Sequence, residues 1–484
     1  MPSWGWVVIG VYGVGMIFIF CYSLVQLSLL LNYRKRNSSS AKKWKGEWPS
    51  VLIQLPVFNE RYVVERLIDA TCKLDYPKDK LSIQLLDDST DDSFEIATEI
   101  VQKYAVKGIN IEQVKREERV GFKAGALQYG LGHTDAEFVS IFDADFVPDP
   151  GFLKRAIPEF MDENIGMVQS RWGHLNRDYS LLTRVQAFAL DAHFTVEQMG
   201  RNIGNHFINF NGTAGIWRKV CIEDAGGWSA DTLTEDLDLS YRAQLKGWKF
   251  KFLEEVVSPA ELPAEMNALK NQQYRWNKGA AECAKKHVRN VLKSKTISAS
   301  TKIHAFFHLL NSSIFIWIVI CALLSLPLII LKNEVVGYEI LFASGGILLF
   351  SFFVLAFFYY TAFKRIKTAP TKTFFWLYPA FLSLSMGMSL HNARAVLQGY
   401  FGKRTPFVRT PKWNLIGNTG SFRQKMYIDK KIPFISWVEG FLGLYFLLAL
   451  IVGLRLGEWG FIPLHAMLVF GFFAVFHYSV KHAS

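Results

Sequence analysis

Phe138-Val139-Ser140-Ile141-Phe142-Asp143-Ala144-Asp145 reads as a short apolar run that stops on two carboxylates spaced two apart. A run this short, ending in charge, predicts a buried strand whose end opens into a crevice. Residues 51–55 stop at Pro56 and residues 81–86 stop at Asp87 in the same manner, with helical stretches at 60–73 and 93–104. Strand and helix alternate. That predicts an α/β domain built on a largely parallel sheet, with ligands bound beyond the carboxyl ends of the strands. Neither G-x-G-x-x-G nor G-x-x-x-x-G-K-[ST] occurs, so a dinucleotide site or P-loop has no support.

The remainder points to a membrane. Half of the 484 residues are hydrophobic and 40 are Phe. Residues 1–33, 305–331 and 341–363 carry no charge, and 432–454, with Glu439 alone, and 461–480 are comparable. Each reaches the ~20 residues that cross a bilayer. The first lacks a basic leader and is followed by Arg34-Lys35-Arg36, which favours a retained anchor over a cleaved signal peptide. Five scattered cysteines without a C-x-x-C pair indicate neither zinc nor disulfides, which suits a cytoplasmic catalytic portion. The net charge of +12 is concentrated at 34–45, 285–302, 364–372 and 403–431, beside the apolar runs. Positive-inside bias and contact with anionic membrane lipids account for this better than nucleic acid does.

A sixth apolar run, 373–390, is borderline, and if all four basic stretches face the cytoplasm it cannot be a simple crossing. Either one basic loop breaks the rule, or the segment is a re-entrant or interfacial hairpin. Ser383, Ser385, Gly387, Ser389 and His391 favour the hairpin. The expected division is an anchor at 1–33, a catalytic domain at 34–300, and a membrane region at 301–484 containing a cytoplasmic loop at 393–431. Five full spans follow.

Five motifs lie in series: Asp87-Asp88, Asp143-Ala144-Asp145, Phe210-Asn211-Gly212-Thr213, Thr234-Glu235-Asp236 and Gln272-Gln273-Tyr274-Arg275-Trp276. Asp143 and Asp145 supply hard oxygens for Mg²⁺ or Mn²⁺, whose other ligands would be water and a diphosphate. Asp87 and Asp88 reach the same crevice to hold base, ribose or metal-bound diphosphate, although the run they begin also offers Ser89 or Asp91 as a helix cap. Lys123 is placed to meet a phosphate. A carboxylate of Glu235-Asp236 near a helix start would take a proton from an acceptor hydroxyl; the competing reading is a capping box on Thr234. Arg275 offers a planar fork for a diphosphate, and Trp276 a face for a sugar ring.

This series resembles the membrane-integrated processive enzymes of glycosyltransferase family 2, with their D, DxD, TED and QxxRW pattern. It is most similar to the cellulose-synthase-like A and C proteins and their bacterial relatives, through VLIQLPVFNE at 51–60, IQLLDDSTDD at 83–92, GFKAGAL at 121–127, IFDADFVPDP at 141–150, DAHFTVEQ at 191–198, FNGTAGIWR at 210–218, TEDLDL at 234–239 and QQYRW at 272–276. The resemblance implies a GT-A domain joined to transmembrane helices and inverting transfer with Asp236 as base. It places a divalent metal at Asp145 and nucleotide contacts at Asn59, Glu60 and Asp88, extending to Gln272. The acceptor falls to Trp276 and the Phe210–Thr213 motif. Phe407-Val408-Arg409-Thr410-Pro411-Lys412 is similar to the family's FxVTxK gating loop, with Arg409 where the pattern has Val.

The reading is a processive β-glycan synthase in an inner or Golgi-type membrane. It would extend a polysaccharide from GDP-mannose or UDP-glucose and export it. A non-processive lipid glucosyltransferase is the first alternative, and a transporter or receptor with a degenerate soluble domain the second. An oligomer is possible but not implied.

Overall fold

The computed structural model describes residues 3–36, 42–334, 346, 350–403, 405, 408–422, 426–427 and 431–483. A seven-stranded sheet has the order β3-β2-β1-β4-β6-β5-β7, with β1 Val51–Val57, β2 Leu81–Asp87, β3 Ile111–Val114, β4 Phe138–Ile141, β5 Ile165–His174, β6 Gly215–Arg218 and β7 Lys249–Ala260. β1 pairs in parallel with β2 and β4, β2 with β3, and β5 with β7, whereas β6 runs antiparallel to both of its neighbours. The expected parallel sheet is thus present with one reversed strand.

Both faces are covered. Ile53, Leu55 and Phe138 point into one apolar layer with helix Val64–Cys72, while Val139, Ile141 and Trp217 point into the other with helix Phe122–Leu131. Adjacent residues on opposite faces follow from the two-residue period of a strand. β1 runs on through Pro56. β4 pairs with it only as far as Gln54, so at Pro56 the strand has a partner on one side, where a missing N–H is tolerated.

Four helices among the described residues are long and apolar enough to cross a membrane: Ser3–Arg34, Asn311–Asn333, Phe434–Arg455 and Trp459–Ala483. Of the expected run 341–363, the part from Phe350 onward lies in helix Phe350–Ile366, and 341–345 and 347–349 fall outside the described residues. At 373–390, where a re-entrant or interfacial hairpin is one of the two expectations, helices Phe374–Gly387 and Ser389–Tyr400 follow one another with a bend of 49°, a geometry shared by a broken span and a re-entrant loop. The polar side chains that argued for a hairpin are satisfied by protein: Ser383 and Ser389 are buried, and His391 Nε2 lies 2.9 Å from the Lys270 carbonyl.

That carbonyl belongs to helix Met266–Lys293, which packs along Ser389–Tyr400 and carries residues 272–276. Lys270 is buried and donates to Glu439 at 2.5 Å and to Ser436 and Ser479 at 3.0 Å. One side chain therefore ties the catalytic layer to the helices Phe434–Arg455 and Ile462–Ala483.

Candidate active site

A cavity of about 210 Å³ opens beyond the carboxyl ends of β1, β2 and β4. Glu60 enters it after β1, Asp88 after β2, and Asp143 and Asp145 after β4. Gln272, Arg275 and Trp276 come from the long helix, Glu235 and Asp236 from the start of helix Glu235–Leu245, and Arg409, Thr410 and Lys412 from the distant loop. Gly279 allows the long helix to sit against the TED turn, since a Cβ there would lie 2.5 Å from Thr234 Cγ2.

Each carboxylate on the donor side has a cation. Arg116 grips Asp88 with Nε and Nη2 in a forked pair. Lys123 Nζ donates to Asp143 at 2.5 Å and to the Gly212 carbonyl at 2.8 Å, with Glu235 at 3.8 Å. Burial works against the Lys123 charge, but Asp143, Glu235 and Asp236 outweigh it and raise its pKa. Lys412 Nζ donates to Asp145 Oδ2 at 2.7 Å, and Arg409 Nη1 lies 2.9 Å from Glu60 Oε2. Burial pushes the Glu60 carboxyl up to about 7 against the pull of Arg409. The loop cations thus sit on Asp145 and Glu60. A cavity of 210 Å³ is below the ~300 Å³ at which small-molecule sites begin, so a nucleotide sugar requires this loop to shift.

Asp236 lies between the two walls. Burial and the neighbouring charge of Glu235 push its carboxyl up to about 7, opposed by Lys123. Thr234 makes no side-chain cap; its hydroxyl lies 3.4 Å from Cys283 Sγ, so the capping-box reading fails. Asp238 turns away to His287, at 2.7 Å, and Arg242, at 2.8 Å. Gly212 has φ +81°, and a Cβ there would come within 3.1 Å of Asp236 Oδ2, so only glycine leaves that oxygen open. On the wall formed by the long helix, Trp276 stands 6.5 Å from the Trp172 ring. Arg275 Nη2 donates to Thr410 Oγ1 at 2.8 Å.

Four expected contacts are elsewhere. Asp87 is fully buried behind the cavity, accepting from Ser89 N and Gln113 Nε2 at 2.9 and 2.8 Å. Phe210 is core, packed on Trp217 and Trp228. Thr213 is buried and accepts from Asp143 N at 2.9 Å, so it positions the DxD turn. Asn59, at φ +56°, accepts from Thr90 N at 2.8 Å and joins the loops after β1 and β2. Phe407 lies outside the described residues. The N-cap of helix Ser93–Ala105 is Asp92, without a side-chain cap, rather than the Ser89 or Asp91 of the capping alternative, although Asp91 accepts from Ser93 N at 3.1 Å just before the helix.

Two groups had no local sequence signal. Glu261 follows β7 and accepts from Trp413 N and Leu415 N at 2.7 and 3.1 Å, while its own N–H donates to Asp145 at 3.1 Å. It anchors the loop to the DxD turn. The DAHFTVEQ stretch contains a π-turn over His193–Glu197, beneath the acceptor wall. His193 Nε2 is 3.1 Å from Asn211 Nδ2, and an amide nitrogen only donates, so Nδ1 carries the proton toward Glu197 Oε2 at 3.0 Å. Gln198 holds the Asn211 oxygen at 2.7 Å, fixing the amide that faces the cavity. A tract quoted only for its likeness to relatives thus has a positioning role for Asn211.

No group of three or more His, Cys, Asp or Glu converges as a metal cage among the described residues. Asp143 and Asp145 still fit Mg²⁺ or Mn²⁺, which commonly takes one or two carboxylates and completes its shell with phosphate and water. Lys412 would have to yield Asp145 to the ion.

Residues 49–279 match the family described as "Glycosyltransferase like family 2". Glucomannan 4-beta-mannosyltransferase 2 of Arabidopsis thaliana is 45% identical over 60% of this chain and 56% of its own length. The corresponding enzyme 1 of Oryza sativa is 45% identical over 54% and 51%. The chain spans about half the length of these two curated relatives. A longer match, 33% identical, covers 87% of this chain and 80% of the Arabidopsis protein named probable glucomannan 4-beta-mannosyltransferase 15. Among solved structures, the mannosyltransferase PcManGT of Pyrobaculum calidifontis, in complex with GDP-Man and Mn2+, aligns with TM-score 0.57 at 19% identity over 82% of this chain and 100% of its own, a likeness of fold. With a relative aligned along most of both lengths, this chain belongs to glycosyltransferase family 2.

Proposed function

We propose that the protein is an inverting β-hexosyltransferase that uses GDP-mannose before UDP-glucose, with its catalytic domain in the cytoplasm, and passes a growing β-mannan-type glycan through the membrane. The observation that carries this is the position of Asp236, a carboxyl of raised pKa between a wall of donor-side acids and the Trp276 platform. An acceptor hydroxyl on Trp276 attacks the anomeric carbon as the bond from that carbon to the diphosphate breaks, and Asp236 takes the hydroxyl proton. Asp143 and Asp145 would hold Mg²⁺ or Mn²⁺, which when bound neutralises charge on the leaving diphosphate. Asp88, Glu60, Arg275 and Lys123 orient the donor. Support for mannose comes from the curated relatives, named glucomannan mannosyltransferases, and from the GDP-Man held by the structural neighbour.

The test is a donor panel with purified protein in nanodiscs, followed by linkage analysis of the product. Transfer from GDP-mannose into β-1,4-linked polymer is expected; transfer from UDP-glucose alone would overturn the donor assignment. In sealed vesicles with the catalytic domain outside, labelled polymer should become protected from added endoglycosidase. Label confined to organic-extractable lipid would establish the lipid glucosyltransferase instead.

A further inference from the structure

The end of helix Ser3–Arg34 and the end of helix Phe350–Ile366 lie side by side, and between them is a cleft of about 410 Å³ well away from the catalytic cavity. Five cations line it, Arg34, Arg36, Lys364, Arg365 and Lys367, and no carboxylate does. Arg365 is held by Glu254, at 2.6 Å, and by Glu255. The other four have no ion-pair partner among the described residues.

Positive-inside bias and the helix dipole explain why each helix ends in cations. They do not explain why two helices turn those cations into one cleft, where like charges repel. An anion there removes the repulsion. The wall also has a polarity gradient. Phe357, Tyr360 and Lys364 follow at i, i+3 and i+7 on one helical face, and Phe357 is 55% exposed. Going toward the cytoplasmic end, that face changes from hydrocarbon to phenol to ammonium, the same order as acyl chain, glycerol and phosphate. A free phosphate would use the last group only.

We propose that this cleft binds the headgroup of an anionic membrane phospholipid, with Arg34, Arg36, Lys364 and Lys367 around the phosphate and Phe357 and Tyr360 against the glycerol and upper acyl chain. The site is coupled to the sheet. Tyr33 donates to Glu254 at 2.8 Å beside Arg365, and Glu254 belongs to β7, whose last residue, Ala260, lines the catalytic cavity. A bound headgroup therefore fixes the β7 edge at the bilayer surface.

Full-length protein, delipidated and titrated with phosphatidylglycerol, would be examined by native mass spectrometry. The wild type should retain one lipid at saturation. Combined Arg34→Gln, Arg36→Gln, Lys364→Gln and Lys367→Gln should weaken that binding at least ~10-fold, since each cation near an anionic headgroup adds to its retention. Removing four charges from the basic stretch 285–302 should leave it unchanged. Equal loss in both variants, or none in the first, would overturn the site. Inorganic phosphate should compete poorly; equal competition by phosphate would assign the cleft to a free anion. With all charges intact, p-benzoylphenylalanine in place of Phe357 should crosslink phosphatidylglycerol in nanodiscs, and absence of that adduct also counts against the proposal.

Discussion

As the proposed base, Asp236 combines two requirements that conflict in water: it must be basic enough to accept a proton and close enough to other acids to face the reacting centre. Burial and Glu235 raise its pKa, and Lys123 limits the rise. Asp236→Asn keeps the shape and removes the base, so turnover should fall by ~10² to 10⁴ while nucleotide binding persists. Steady-state rates and donor calorimetry check both halves. The base acts ionised, so the wild-type rate should decline as pH drops through about 7. Stability has the opposite sign. A carboxyl whose folded pKa is raised opposes folding once ionised, so Asp236→Asn should melt higher than wild type above pH 7, and the gap should close toward pH 4. A pH series of melting temperatures reads this directly. Sequence located Asp236, Asp88, Asp145 and Trp276 because each sits in a spaced motif at an element's end. It placed Asp87, Phe210 and Thr213 in the cavity because side-by-side letters look equivalent. Near a strand end they are not: Asp87 and Asp88 leave the chain on opposite sides, as do Phe210 and Asn211.

At the scale of elements, the loop from Arg409 to Leu415 closes the cavity over the strand ends and is held there by Glu261. Lys412 stands on Asp145, where the ion would bind. Chelation with EDTA should therefore abolish transfer, and Mg²⁺ or Mn²⁺ should restore it; full activity in excess EDTA would sink the metal assignment. Lys412→Met removes the competing ammonium and should tighten Mn²⁺ binding in the absence of nucleotide, measured by titration of Mn²⁺ electron paramagnetic resonance. Arg409, the departure from the family pattern, has a structural meaning in its contact with Glu60. Sequence showed the loop but not its anchor, because Glu261 is a lone acid after a strand, separated from Leu415 by 154 positions. No local pattern records such a contact. Strands β1, β2 and β4 were legible because parallel strands buried on both faces read as apolar runs, whereas β3, β5, β6 and β7, with polar residues such as those of Ile165–His174 and Lys249–Ala260, gave no such run.

For the whole molecule, the decisive contact is Lys270 with Glu439. Removing one member of a buried pair strands the other, at ~3–5 kcal/mol, whereas replacing both by apolar residues is close to neutral. Lys270→Met should lower the melting temperature sharply in nanodiscs, and Lys270→Met with Glu439→Leu should recover most of it. Scanning fluorimetry distinguishes this from a simple charge effect. The bend after Gly387 was illegible for a related reason: polarity in 383–391 is matched by helix Met266–Lys293, not by water, and a hydropathy reading has no way to see a protein partner.

The Glu261 anchor has a consequence for synthesis on the ribosome. The sheet is complete once residue 260 has emerged, but Trp413 and Leu415, which close the cavity onto Glu261, are made more than 150 residues later. One helix long and apolar enough to cross the membrane, Asn311–Asn333, lies in that interval, together with the bent pair Thr371–Gly387 and Ser389–Tyr400. A nascent chain caught within that interval therefore holds a half-built site, without Arg409, Thr410 or Lys412. Arg409, Thr410 and Lys412 thus join the cavity after helix Asn311–Asn333 has been made and before Phe434–Arg455 and Trp459–Ala483 have, so the order of the genetic message sets the assembly of the site between two stages of membrane insertion.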